Sequence, residues 1–251
     1  TFSDSRTATA DLIATDPRSD VAIVRAEGVS GLTPVSVGSS ANLRVGHPVA
    51  AVGSPLGLRG TVTAGIVSAL NRLVCPATGR DDRSAFYALQ TDAAINPGNS
   101  GGALVDTNGE LVGVNAAESV VVSADDSDST EHGSIGLGFA IPVDHAERIA
   151  SELIATGRAS HAWLGVQARD DVNTYGARIV GVAGDSPAAA AGLSTGALVT
   201  RVDSQPVRSA NDLIAAVQSK APSARMALEI NDSSGDHRTV EVVLGAEQGQ
   251  P

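Results

Sequence analysis

The stretch Gln90-Thr91-Asp92-Ala93-Ala94-Ile95-Asn96-Pro97-Gly98-Asn99-Ser100-Gly101-Gly102 decides how this chain is read. Glycines at 98, 101 and 102 surround Ser100 where bulk would obstruct a substrate. They permit the tight backbone that exposes a hydroxyl. They also allow the N–H groups of Gly98 and Ser100 to aim at one point, where an oxyanion would develop. Such donors are worth about 3–4 kcal/mol each in acyl transfer. A plain hairpin turn is the competing reading of the same residues.

A serine hydroxyl becomes a good nucleophile when a base takes its proton and an acid orients that base. The candidate acid is Asp20, in Asp16-Pro17-Arg18-Ser19-Asp20-Val21-Ala22-Ile23-Val24. It immediately precedes what reads as a buried strand; a strand-start turn residue is the alternative. The histidines are His47, His132, His145, His161 and His237. None lies upstream of Asp20, and each reads as a surface or structural residue rather than as a base. Thr1-Phe2-Ser3-Asp4 reads as a strand already under way, so the chain is expected to be cut from something longer.

Working outward, composition narrows the classes. The chain has 251 residues and a net charge of −11, with 42% hydrophobic and 18% charged residues. That length suits one or two domains of about 150 residues, with enough chain for a sizeable core. The acidic balance disfavours nucleic-acid binding, which needs a basic face, and a polybasic membrane anchor. No run approaches the ~18–20 apolar residues that span a bilayer. One cysteine, Cys75, excludes an internal disulfide and a cysteine-rich metal site. The segment Asp125-Asp126-Ser127-Asp128-Ser129-Thr130-Glu131 lacks the glycine and terminal glutamate of a helix-loop-helix calcium site. It reads as a solvated loop, and no metal site is expected.

Short apolar runs such as Val21–Val24, Val49–Val52 and Leu111–Val114, with turn signals between them, predict β-strands of a barrel or sandwich over the first 145 residues. The period then changes. Val143, Ala146, Ile149, Ala150, Leu153 and Ile154 predict a helix over 143–157, with Asp144 as its cap and Gly157 as its stop. Gly157 to Ala162 reads as a linker. Beyond it the pattern predicts strands at 163–168, 177–182, 197–203, 225–231 and 239–244. Helices are predicted at Pro187–Ala191 and Ala210–Ser219, the second capped by Ser209, and a hairpin turn at Ser234-Gly235.

The string Gln90–Gly102, the run Ser19–Val24, Gly136-Leu137-Gly138-Phe139-Ala140-Ile141-Pro142 and Ala51-Val52-Gly53-Ser54-Pro55-Leu56-Gly57 with Thr61–Ser68 together resemble the HtrA (Deg) serine proteases, most of all their actinobacterial, mycobacterial-type members. The resemblance runs over about residues 1–246. It implies a mainly β fold: a chymotrypsin-like double β-barrel followed by a PDZ domain. The protease domain would occupy 1–156, with an incomplete first barrel at 1–43, the second barrel at 44–142 and a linker helix at 143–157. The PDZ domain would occupy 160–247. Ser100 matches the nucleophile and Asp20 the triad acid; Gly98, Asn99 and Ser100 match the oxyanion hole. The family's triad histidine would precede residue 1.

Ile95 and the strand Ile135, Leu137, Gly138 and Phe139 match the walls of the S1 pocket, although Ile95 reads equally well as core. None of these supplies a carboxylate, so a small or medium aliphatic P1 residue is expected; a lysine or arginine there would leave a charge unpaired. Trp163, Leu164, Gly165 and Val166 match the PDZ carboxylate-binding turn and first groove strand, where backbone N–H groups hold a terminal carboxylate and a free edge accepts a strand. The resemblance further implies an extracytoplasmic, homotrimeric endopeptidase that needs no cofactor. It would degrade unfolded or damaged proteins and recognise peptide C-termini. A peptide-binding, chaperone-like fragment without the base is the other reading.

Overall fold

The computed structural model describes residues 2, 4, 6–74, 86–116, 134–171, 173–232 and 235–248. The chain divides into two compact units, Thr1–Gly157 and Arg158–Pro251.

The first unit begins with an antiparallel hairpin of β1 (Ala10–Asp16) and β2 (Val21–Ala26). Phe2 and Asp4 lie outside any strand. The expected strand at Thr1–Asp4 is therefore not formed at its described residues; the Phe2 N–H instead donates to Arg6 O at 2.9 Å. Nor is β2 buried, since Val24 is 64% exposed.

Six strands then close a barrel: β3 (Pro48–Gly53), β4 (Thr61–Val74), β5 (Phe86–Thr91), β6 (Ala103–Val105), β7 (Leu111–Ala116) and β8 (Gly138–Pro142). Their order is β3-β4-β5-β8-β7-β6, and β6 pairs back onto β3. Closure leaves these strands no free edge. Val67, Leu104, Val112 and Ala140 fill the interior.

Helix α1 (Val143–Thr156) follows β8 directly. It packs against β1, β2, β7 and β8, so it belongs to this unit rather than bridging two. Ala146 joins Phe86, Phe139 and Ile141 in a second core. Gly157, at φ +75°, ends the helix by donating to Leu153 O. Asp144 is not the cap: Pro142 holds that position without a side-chain bond. The Asp144 carboxylate instead accepts from Ser40 Oγ at 2.8 Å and Ala41 N at 2.9 Å.

In the second unit β9 (Ser160–Trp163) pairs with the last strand, which makes the expected linker shorter than 157–162. The main sheet contains β10 (Val166–Asp170), β11 (Ala177–Val182) and β12 (Leu198–Val202), with the short β13 (Gln205–Pro206) on β12. It continues with β14 (Arg225–Asn231) and β15 (His237–Val243), and β16 (Gly245–Gln248) closes the pair with β9. Helix α2 covers Pro187–Ala190 and α3 covers Ala210–Gln218. Ser209 caps α3 as expected, its Oγ accepting from Asp212 N at 3.1 Å. The single strand expected at 163–168 is broken at Leu164-Gly165, because Gly165 takes φ +82°. The Asp232 N–H donates to Asp236 O at 3.0 Å across the β14–β15 turn, where Gly235 has φ +90°. Ser234, Cys75, His132 and the acidic segment 125–131 lie outside the described residues.

Candidate active site and peptide groove

Ser100 sits exposed in the loop joining β5 to β6. Four consecutive carbonyls of that loop accept backbone hydrogen bonds: Asn96 O from Asn99 N at 2.9 Å, Pro97 O from Leu56 N at 3.1 Å, Gly98 O from Ser54 N at 3.3 Å, and Asn99 O from Gly102 N at 2.9 Å. In a planar trans peptide the N–H points opposite to the C=O of the preceding residue. Fixing Pro97 O on Leu56 therefore turns the Gly98 N–H away from the 54–56 turn. Fixing Asn99 O on Gly102 likewise turns out the Ser100 N–H. Among the described residues the Gly98 N–H meets no acceptor. Asn99 departs from expectation: its N–H is spent on Asn96, so it is no oxyanion donor.

The close fit of this loop depends on glycine. Gly98 has φ +99°, and a Cβ there would lie 2.6 Å from Ser54 O. A Cβ on Gly53 would collide with the Asn99 side chain and stand 2.9 Å from its Cα. A Cβ on Gly102 would run into Val52 O. The motifs 51–57 and 90–102, far apart in sequence, are thus the two halves of one packed object. Asn115, 2% exposed, completes it by donating to Val52 O at 3.3 Å and Ala103 O at 3.1 Å. Sequence reasoning missed Asn115 and Asn96; the only sign of either was a polar residue at a strand end or in a turn.

The expected pocket residues separate. Ile95 is 6% exposed within the barrel core, and a Cβ on Gly138 would lie 3.0 Å from its Cδ1. Asn96 Oδ1 accepts from Ser134 N at 2.6 Å and so holds the lead-in to β8 beside the nucleophile loop. Leu137 is 41% exposed on that lead-in. Phe139 is a correction: strand alternation turns it to the face opposite Gly138, into the core against α1. Ile135 is another: at 81% exposure it stands on the surface rather than in a wall.

Asp20 closes the turn between β1 and β2 in the left-handed region, φ +54°, and is exposed. Ser19 before it is buried, and its Oγ lies 3.2 Å from Nε2 of His145 on α1. Of the other described histidines, His47 precedes β3, while His161 and His237 belong to the second unit.

In the second unit β10 lies at the edge of its sheet, with α3 packed beside it. The turn before β10 is held by its carbonyls: Leu164 O accepts from Ala188 N at 3.0 Å and Gly165 O from Ala183 N at 2.9 Å. The N–H groups of Leu164 and Gly165 donate to nothing among the described residues. A Cβ on Gly165 would collide with Ser186 and stand 3.1 Å from the Trp163 ring, so Trp163 packs over this turn. At the far end, Asp170 Oδ1 accepts from Ala210 N at 2.7 Å and ties β10 to the start of α3. In the next loop the Arg178 guanidinium and the N–H groups of Asn173 and Thr174 hold the Asp171 carboxyl well below the usual carboxylate range.

Among the described residues no three of His, Cys, Asp and Glu gather as a metal site. No described helix is long and apolar enough to cross a membrane.

Residues 1–114 match the trypsin-like peptidase domain and residues 162–244 the PDZ domain. The serine protease PepD of Mycobacterium tuberculosis is 60% identical over 99% of this chain and 53% of its own length. The periplasmic serine endoprotease DegP of Escherichia coli is 37% identical over 83% of this chain and 43% of its own. The chain thus spans about half the length of these curated relatives. A solved HtrA-type protease AlgW with a tripeptide aligns at 32% identity and TM-score 0.67 over 99% of this chain and 80% of that one. AlgW with a decapeptide aligns at TM-score 0.66, also at 32% identity, over 99% of this chain and 74% of that one.

Proposed function

The chain belongs to the HtrA family of trypsin-like serine proteases with a PDZ domain, and on that footing we propose that Ser100 is the nucleophile of a peptide-bond hydrolase. Ser100 Oγ attacks the scissile carbonyl while an imidazole takes its proton, and Asp20 orients that imidazole. The negative charge that forms on the carbonyl oxygen is met by the N–H groups of Gly98 and Ser100. The intermediate collapses, the amine leaves with the proton, and water releases the acyl group by the same path.

One observation carries this reading. The carbonyls of residues 96–99 are all engaged by the protein, which leaves the Gly98 amide without an acceptor among the described residues beside an exposed serine hydroxyl. Donors fixed before the reaction cost no reorganisation when charge develops. A small or medium aliphatic P1 residue suits this reading, since neither Ile95 nor the 135–139 segment brings a carboxylate.

The second unit takes peptide C-termini. The Leu164 and Gly165 amides receive the carboxylate, and the β10 edge adds the peptide as a strand. The substrates are unfolded or damaged proteins outside the cytoplasm, in line with relatives named periplasmic, and the working form is a homotrimer.

The test is fluorophosphonate labelling of protein expressed from the whole open reading frame. Labelling that is lost in Ser100→Ala and slowed in Asp20→Asn supports the hydrolase. An unlabelled Ser100 in folded protein overturns it in favour of a chaperone-like peptide binder.

A further inference from the structure

We propose that His145 is a positioning residue for Asp20, acting through the Ser19 hydroxyl. This rests on the reading of Asp20 as the acid of the reaction.

Asp20 has to hold a left-handed backbone, φ +54°, that residues other than glycine adopt at a cost. It sits at the end of a turn whose flanking strands are largely exposed. Within the turn, Ser19 N donates to Asp16 O at 3.3 Å, and both residues are buried. A bond that reaches out of the hairpin runs between Ser19 Oγ and His145 Nε2, at 3.2 Å.

His145 stands on the first turns of α1, which packs against β1 and β2 as well as β7 and β8. The helix therefore references the acid's turn to the barrel that carries Ser100. Rotation about Ser19 would swing the next residue, and with it the Asp20 carboxylate. A misplacement of about 1 Å in a catalytic geometry can cost about a hundredfold in rate.

The chemistry of the link sets the test. A serine hydroxyl both donates and accepts, so the bond tolerates either imidazole tautomer and the imidazolium. A glutamine amide reaches about as far as Nε2, whereas an asparagine amide stops near Nδ1.

The variants are made in the protein expressed from the whole open reading frame and assayed on a quenched peptide with an aliphatic P1 residue. His145→Ala is expected to lower kcat about ten- to a hundredfold with KM within about twofold, because an orienting contact acts on the transition state. His145→Gln is expected to restore kcat to within about threefold of the parent, and His145→Asn to resemble the alanine variant. Ser19→Ala is expected to match His145→Ala, and it carries the test should the helix variant fail to fold. An unchanged kcat in His145→Ala or Ser19→Ala, a loss expressed in KM, or a glutamine variant no better than alanine overturns the proposal. An Asp20→Asn protein with full kcat instead overturns the assignment of the acid, and this proposal with it.

Discussion

Gly53→Ala probes the nucleophile loop from 47 residues away in sequence. The added methyl would meet Asn99 at Oδ1, at Cγ (3.0 Å) and at Cα (2.9 Å). Turning the side chain relieves the first two contacts but not the third, which is backbone. Asn99 is 2% exposed and donates from Nδ2 to Ala94 O at 3.3 Å, so turning it also exposes the loss of a buried hydrogen bond. Overpacking of this kind costs about 1–3 kcal/mol, and a buried polar group left unpaired costs a similar amount. A total of about 2–6 kcal/mol corresponds to a fall of roughly 4–24 °C in the melting temperature of a unit of this size. The loop would relieve part of the strain by shifting, so labelling of Ser100 should slow more than stability alone accounts for. Thermal unfolding followed by circular dichroism reads the first effect, and the fluorophosphonate labelling rate well below the melting temperature reads the second. Gly184→Ala is the control, because a Cβ there meets nothing within 4 Å. If Gly53→Ala melts with the control and labels at the parent rate, the two motifs are not mutually fitted and the reasoning fails.

Phe139→Ala is expected to destabilise the first unit by about 3–5 kcal/mol through an unfilled cavity while leaving P1 preference unchanged; an altered preference in a peptide-library scan would return Phe139 to the pocket. Gly165→Ala combines an unfavourable φ with a collision on Ser186 and is expected to abolish binding of a C-terminal peptide, read by fluorescence anisotropy. Parent-like binding would count against the assigned carboxylate turn. The lowered Asp171 pKa contributes stability that is present above the ordinary carboxylate value of about 4 and is lost as pH falls through the folded-state value. Asp171→Asn should therefore melt earlier at neutral pH, with the gap closing in acid; a gap constant from pH 7 to pH 2 contradicts that sign.

Features written in neighbouring residues were legible in the sequence. Ser209 with Asp212, Gly157 after an amphipathic run, and the alternation of Met226, Leu228 and Ile230 in β14 each state a local geometry. Asp144 misled because its partners, Ser40 and Ala41, lie more than a hundred residues away. Trp163-Leu164-Gly165-Val166 has the apolar density of a continuous strand, and only the positive φ of Gly165 breaks it. At the site, glycine spacing pointed to Gly98 and Ser100 but could not show that the intervening Asn99 amide turns back to Asn96. Phe139 could have been assigned from strand parity once Gly138 was placed against Ile95. The link between His145 and Ser19 has no sequence signal, since it joins a helix to a turn 126 positions earlier.

The tie from Asp170 to Ala210 gives the second unit a ruler. The accessible edge runs from the open amides at Leu164 and Gly165 to a carboxylate already committed to the helix, and β10 between them is five residues long. On the reading proposed above, a tail held by its terminus would be registered over roughly that many positions before turning outward. Sequence further upstream in such a tail would go unread, so proteins unrelated in fold could present the same short ending.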